Sequence, residues 1–317
     1  MSGRAPASGS EGDNRGWDVR FGSALAVSFL VLVIGCGGGG GGGKPPGPEL
    51  TYPSVIESEN GVLRTTLTIE AATQTVAGED ITFPELYNGL YTPPTLHVQP
   101  GDQIELRLRN FGYQSTNFHY HGLGVTPMGA GDNVFLELEA GLTFDYSFPI
   151  PADQDQGMFW YHPHLDPMLN TQLSGGMAGA LIVGDILAPF PQLQGIPERI
   201  MILKDLKTVD GFPMPDPAPA GPTKRTINGV YQPRITMQPG QLEFWRIGNF
   251  SSNIYIRAVA RGADVQRHRR GRQPAEPGHP DRHPGDAAGQ AARAADLRAG
   301  EGQLQAAHGG LRHGSAG

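Results

Sequence analysis

Cysteine is almost absent from this chain. Cys36 is the only one in 317 residues, which excludes an intramolecular disulfide framework and a cysteine-based zinc site. Charge is sparse and leans acidic: 24 Lys and Arg stand against 31 Asp and Glu, a net charge of −7. Nucleic acid needs a basic face, so it is not expected as a partner. No long helical pattern runs through the chain. Its 46 glycines and 28 prolines, nearly a quarter of all residues, disfavour long helices and favour a turn-rich β protein. The length leaves room for about two domains.

The apolar run FGSALAVSFLVLVIG, residues 21–35, is shorter than the ~20 residues a permanent membrane span needs and suits a signal segment. It ends in Val33-Ile34-Gly35-Cys36, which resembles a bacterial lipoprotein signal. That resemblance implies lipidation at Cys36, attachment to a membrane surface, and an exported, cell-envelope location. Seven glycines, Gly37–Gly43, follow, then Lys44 and a proline-rich stretch. Polyglycine cannot hold compact structure, so residues 37–49 are expected to act as a flexible tether.

Strand signals with intervening turns then recur. In TLHVQPGDQIELRLR, residues 95–109, a Pro-Gly-Asp turn precedes Ile104, Leu106 and Leu108, which alternate with Glu105, Arg107 and Arg109. Period two marks a half-buried strand. ITMQPGQLEFWRIGN, residues 235–249, repeats the turn-then-strand pattern. The repeat predicts two copies of one β-sandwich domain, at 50–186 and 187–261, with PDPAPAGP (215–222) as a loop or linker.

Four of the five histidines before residue 262 form two His-x-His pairs, His119/His121 in FHYHG and His162/His164 in WYHPH. In a strand, residues i and i+2 share a face, so each pair projects two imidazoles together. Two such strands side by side would converge four rings. Neutral imidazoles suit copper, zinc, iron or nickel rather than magnesium or calcium. The flanking aromatics, Phe118 and Phe159-Trp160-Tyr161, are read chiefly as core packing, and His97 as a strand residue rather than a ligand. Asp132, in GAGDNVF, is either a turn residue or an acid that delivers protons near the cluster.

FHYHGLG, then MFWYHPHLD and SGGMAGALIVGD, resembles the first cupredoxin domain of the laccase-like multicopper oxidases. ERIMILKD and NGVYQPRITMQPGQLEFWRIGN resemble that family's second domain. The resemblance implies an all-β, cupredoxin-like Greek-key sandwich, complete in the first domain and partial in the second. It makes His119 a type 2 copper ligand, and His121, His162 and His164 type 3 ligands. It implies O₂ as acceptor and a small reducing substrate: a phenol, an aromatic amine or a metal ion. The family's C-terminal histidine segments, which carry the other four cluster ligands and the type 1 cysteine, have no counterpart here. Only half of a trinuclear site and no type 1 site are therefore expected, and the chain as given should be inactive. A non-catalytic copper-binding module and, less favoured, a zinc-dependent hydrolase are the alternatives.

Residues 262–317 break the pattern. They hold 12 Ala, 11 Gly and 8 Arg in 56 residues and no Phe, Trp, Tyr, Ile or Met. Such a segment cannot bury a core, and it is expected to be a disordered tail arising from a frameshift near codon 261.

Overall fold

The alternation read in residues 103–110 is what the chain adopts: Ile104, Leu106 and Leu108 are buried while Arg107 and Arg109 face solvent. The computed structural model describes residues 47–214, 223–252, 254 and 256, together with the backbone of 29–34 and 264–269. Cys36, the glycine run 37–43 and the stretch 215–222 lie outside the described residues, as does the tail beyond 269.

The strands are β1 (Phe29–Ile34), β2 (Val55–Glu57), β3 (Val62–Val76), β4 (Glu79–Tyr87), β5 (Thr95–Val98), β6 (Gln103–Asn110), β7 (His119–His121), β8 (Thr143–Pro149) and β9 (Gly157–His162). After a short helix, α1 (Leu169–Ser174), come β10 (Gly179–Val183), β11 (Glu198–Leu206), β12 (Thr208–Val209), β13 (Phe212–Pro213), β14 (Lys224–Ile227), β15 (Val230–Tyr231), β16 (Leu242–Asn249) and β17 (Asp264–Arg269). Among the described residues no helix is long and apolar enough to cross a membrane.

Two sheets form the first sandwich, one in the order β4-β3-β6-β8 and one in the order β2-β5-β10-β9-β7. Between them lies a core of Leu63, Leu67, Ile104 and Phe148 from the first sheet and Leu96, Phe159, Tyr161 and Leu181 from the second. Strands β9 and β10 do not alternate; every residue in them is buried. The reason is a second apolar layer on their other face, where Met158, Trp160, Ala180 and Ile182 pack with Ile202 and Phe250. A strand covered on both faces reads as a continuous apolar run.

Ile202 belongs to a third sheet, ordered β15-β14-β11-β16-β1-β17. Ile202, past the boundary expected at 186/187, packs in one apolar layer with the second sheet of the first sandwich. The described residues up to Ile186 and those from Gly195 form one unit, joined through that apolar layer, to which Leu169 and Leu173 of α1 also contribute. The short segment Leu187–Gln194 is grouped apart; there the Gln194 side-chain amide donates to the Leu187 carbonyl at 2.6 Å.

Two further differences concern the segments at either side. Residues 29–34, inside the expected export segment, form a strand antiparallel to both β16 and β17. A short apolar run of this kind suits strand or helix alike, and periodicity does not separate them. Residues 264–269, expected to be structureless, form the edge strand β17. Ladder hydrogen bonds come from the backbone, so an edge strand forms without a core-building composition.

Candidate metal centre

The two histidine pairs meet because of one register. β7 runs antiparallel to β9 with His119 opposite His162, Tyr120 opposite Tyr161 and His121 opposite Trp160. Residues directly opposite share a face. Tyr120 and Tyr161 thus enter the sandwich core, while His119, His121, Trp160 and His162 lie on the other face. His164 follows two residues past His162 and joins them.

The four rings converge. Ring centroids are 5.3 Å apart for His119 and His121, 5.1 Å for His119 and His162, 4.9 Å for His119 and His164, and 6.0 Å for His162 and His164. Nδ1 of His121 lies 3.3 Å from Nε2 of His162. Two nitrogens each ~2.0–2.1 Å from one tetrahedral ion would stand about 3.3–3.4 Å apart, so this pair has the bite of a single metal. The ligating atoms of His119, His121 and His162 all fall within 4.8 Å of one another.

Neighbouring groups set which nitrogen faces inward. His119 Nδ1 lies 2.9 Å from Asp132 Oδ1, and His162 Nδ1 lies 2.7 Å from the Pro163 carbonyl. Both partners only accept, so each Nδ1 carries the hydrogen and each Nε2 presents its lone pair. In the metal-free chain His121 Nδ1–H then donates to His162 Nε2. An ion held by both requires the His121 hydrogen to shift to its own Nε2.

Asp132 thus acts on a ring as well as on its turn. The same oxygen accepts the Tyr120 backbone N–H at 2.9 Å, and the Asp132 N–H donates to the Thr126 carbonyl at 2.7 Å. That turn needs Gly131, because a Cβ there would sit 2.2 Å from the Thr126 carbonyl oxygen.

His162 is 3% exposed. Burial pushes its pKa well below the usual imidazole range, the neighbouring His119 adds to the shift, and the Pro163 carbonyl opposes it. The ring is neutral near neutral pH, as a ligand must be. Trp160 stacks on it with centroids 4.0 Å apart, and Phe250 stacks on Trp160 at 5.2 Å.

His97 stands apart as a strand residue. Its contacts are the Gly184 carbonyl at 3.3 Å and Glu57 at 3.8 Å. Phe118, Phe159 and Tyr161 are core residues as read from the sequence. Trp160 is not simply core, and strand parity with His162 could have placed it beside the rings. Asn117 was not legible at all. Fully buried, it accepts the His164 backbone N–H at 2.6 Å and donates to the Val134 carbonyl at 2.7 Å, linking three chain segments around the rings.

Residues 69–186 match the family model described as multicopper oxidase. The iron transport multicopper oxidase FET5 of Saccharomyces cerevisiae is 31% identical over 193 residues, 54% of this chain and 29% of that protein. The cell division protein FtsP of Yersinia pestis is 28% identical over 225 residues, 68% of this chain and 46% of that one. The chain thus spans less than half the length of these relatives. Among solved structures, a metallo-oxidase from Campylobacter jejuni is 26% identical with a TM-score of 0.50, covering 64% of this chain and 44% of its own. The multicopper oxidase McoA of Aquifex aeolicus, 19% identical with a TM-score of 0.53, shares the fold; 65% of this chain and 46% of that one are covered. The match to the multicopper oxidase model over residues 69–186 takes in both histidine pairs, on a cupredoxin-like fold.

Proposed function

We propose that His119, His121, His162 and His164 form one half of a trinuclear copper centre, His119 on the type 2 side and the other three on the type 3 side. The observation that carries this is the 3.3 Å approach of His121 Nδ1 to His162 Nε2 on a face shared with His119. The donor set supports copper: the facing ligands are imidazoles, and they accommodate both oxidation states. When bound, copper supplies one-electron redox chemistry with O₂ as acceptor.

The chain's own residues prepare that site. Asp132 holds the His119 ring by its Nδ1–H, with Oδ1 2.9 Å away. The Pro163 carbonyl fixes the His162 tautomer. Trp160 and Phe250 wall the inner side and exclude water from His162. The reducing substrate belongs to the family's range of phenols, aromatic amines or metal ions. We place the protein in the cell envelope, tethered through a lipid on Cys36; processing at that cysteine would remove residues 29–34 and with them strand β1.

The remaining cluster ligands have no paired-histidine motif within the 317 residues. The chain alone is therefore expected to bind copper without consuming O₂. Copper titration of the full chain, followed in an oxygen electrode, tests this. Copper uptake abolished by His121→Ala or His162→Ala supports the reading. Sustained O₂ uptake by the chain alone overturns the inactivity, and failure to bind copper overturns the site.

A non-catalytic, copper-holding role is the second reading. The resemblance over 68% of this chain to a protein named for cell division supports only the non-catalytic part of that reading. The zinc-hydrolase alternative is disfavoured, since it needs a free carboxylate base, and Asp132 is already engaged by His119 and Tyr120.

A further inference from the structure

Lys204 lies in β11, outside the copper site, and is 3% exposed. A buried lysine is costly unless its ammonium is fully hydrogen-bonded. Here its Nζ donates to three backbone carbonyls, those of Tyr91 at 2.6 Å, Gly176 at 2.8 Å and Ala178 at 2.9 Å. The ammonium also sits 4.6 Å above the Tyr91 ring. Burial pulls its pKa down to about 7. The three carbonyls work the other way, because a neutral amine has two hydrogens and would turn its lone pair toward one of them.

The gathered carbonyls flank one side chain. Ala178 leads directly into β10, whose first residue, Gly179, pairs with Tyr161 of β9. A Cβ on Gly179 would fall 2.2 Å from the Tyr161 ring, so the tyrosine packs against bare backbone there. The Tyr161 hydroxyl donates to the Pro94 carbonyl at 2.6 Å, three residues beyond Tyr91. Lys204 thus ties together both segments that grip Tyr161, and Tyr161 is the neighbour of His162. Gly176, at φ +104°, makes the approach feasible; a Cβ there would meet the Tyr91 ring at 2.8 Å.

We propose that Lys204 is a positioning residue: its ammonium acts as a tethered cation in a carbonyl cage, locks β10 against β9, and thereby fixes the His162 ring. The link to His162 as a ligand rests on the copper reading above; the cage does not.

Amide hydrogen exchange of the full chain, with Lys204→Met as an uncharged substitute of similar length, tests the cage. Exchange across 176–183 and at Tyr161–His162 should speed up about tenfold or more, while β3 and β6 keep their protection. Unchanged exchange across 176–183 overturns the proposal. Lys204→Ala gives a second route: propylammonium should restore protection, or folding if that is lost, and propan-1-ol should not. Equal rescue by both, or none by propylammonium, overturns the tethered cation. Copper affinity should fall about tenfold in Lys204→Met, the lower range for supporting groups of a metal site. Unchanged affinity in a variant whose exchange has risen severs the link to His162. If the unaltered chain binds no copper, the copper reading fails, and exchange and rescue still decide the cage.

Discussion

Asp132 separates a turn residue from a residue that supports the metal site. Its Oδ1 serves two donors, His119 Nδ1 and the Tyr120 amide, each at 2.9 Å. Replacing Asp132 with Ala leaves the Tyr120 N–H without its acceptor, which costs about 1–3 kcal/mol of stability. It also frees the His119 ring to rotate or change tautomer. Removing a group that supports a metal-bound histidine typically lowers metal affinity about 10–100-fold, or roughly 1.4–2.7 kcal/mol of binding. Asp132→Asn keeps an oxygen for both donors and loses only the charge. It should fold with nearly unchanged stability and lose about tenfold in affinity. The assay is a competition titration with a chelator of known copper affinity, run beside thermal melts of the metal-free chain. If Asp132→Ala lowers the melting temperature while copper affinity stays within twofold of the parent, Asp132 is a turn residue and the reasoning is refuted.

Two other outcomes are expected. The folded-state pKa of His162 lies well below its unfolded value of about 6.5, so the unfolded chain binds the extra proton first as pH drops. His162 therefore contributes a loss of stability on acidification below pH ~6.5, approaching about 1.4 kcal/mol per pH unit until the native ring protonates. Urea titrations of the metal-free chain from pH 7 to 4.5 should show a steeper fall than His162→Gln, and parallel curves would contradict the burial argument. Gly131→Ala forces a Cβ to within 2.2 Å of the Thr126 carbonyl oxygen and 2.6 Å of the Thr126 methyl. It should cost about 1–3 kcal/mol and weaken copper binding together with it, since Asp132 follows in the chain. A stable variant with normal copper uptake would show that the turn adapts freely.

What the sequence by itself determined is everything with a short period. The alternation of 103–110 set the buried face of β6, and spacing two placed His119 beside His121 on one strand. Nothing beyond neighbouring residues is needed for either, because side chains alternate faces along any strand.

Only the tertiary structure decided which way the histidine pairs face. The pairing of His119 with His162 turned both imidazoles away from the sandwich core, toward the layer holding Ile202 and Phe250. The same layer made β9 a continuous apolar run and put Trp160 against His162. The Asp132 contact with His119, the Asn117 link to His164 and the carbonyl cage of Lys204 span 13 to 113 residues of chain. Register and face depend on what packs opposite, and a partner so far away in sequence leaves no local pattern to read.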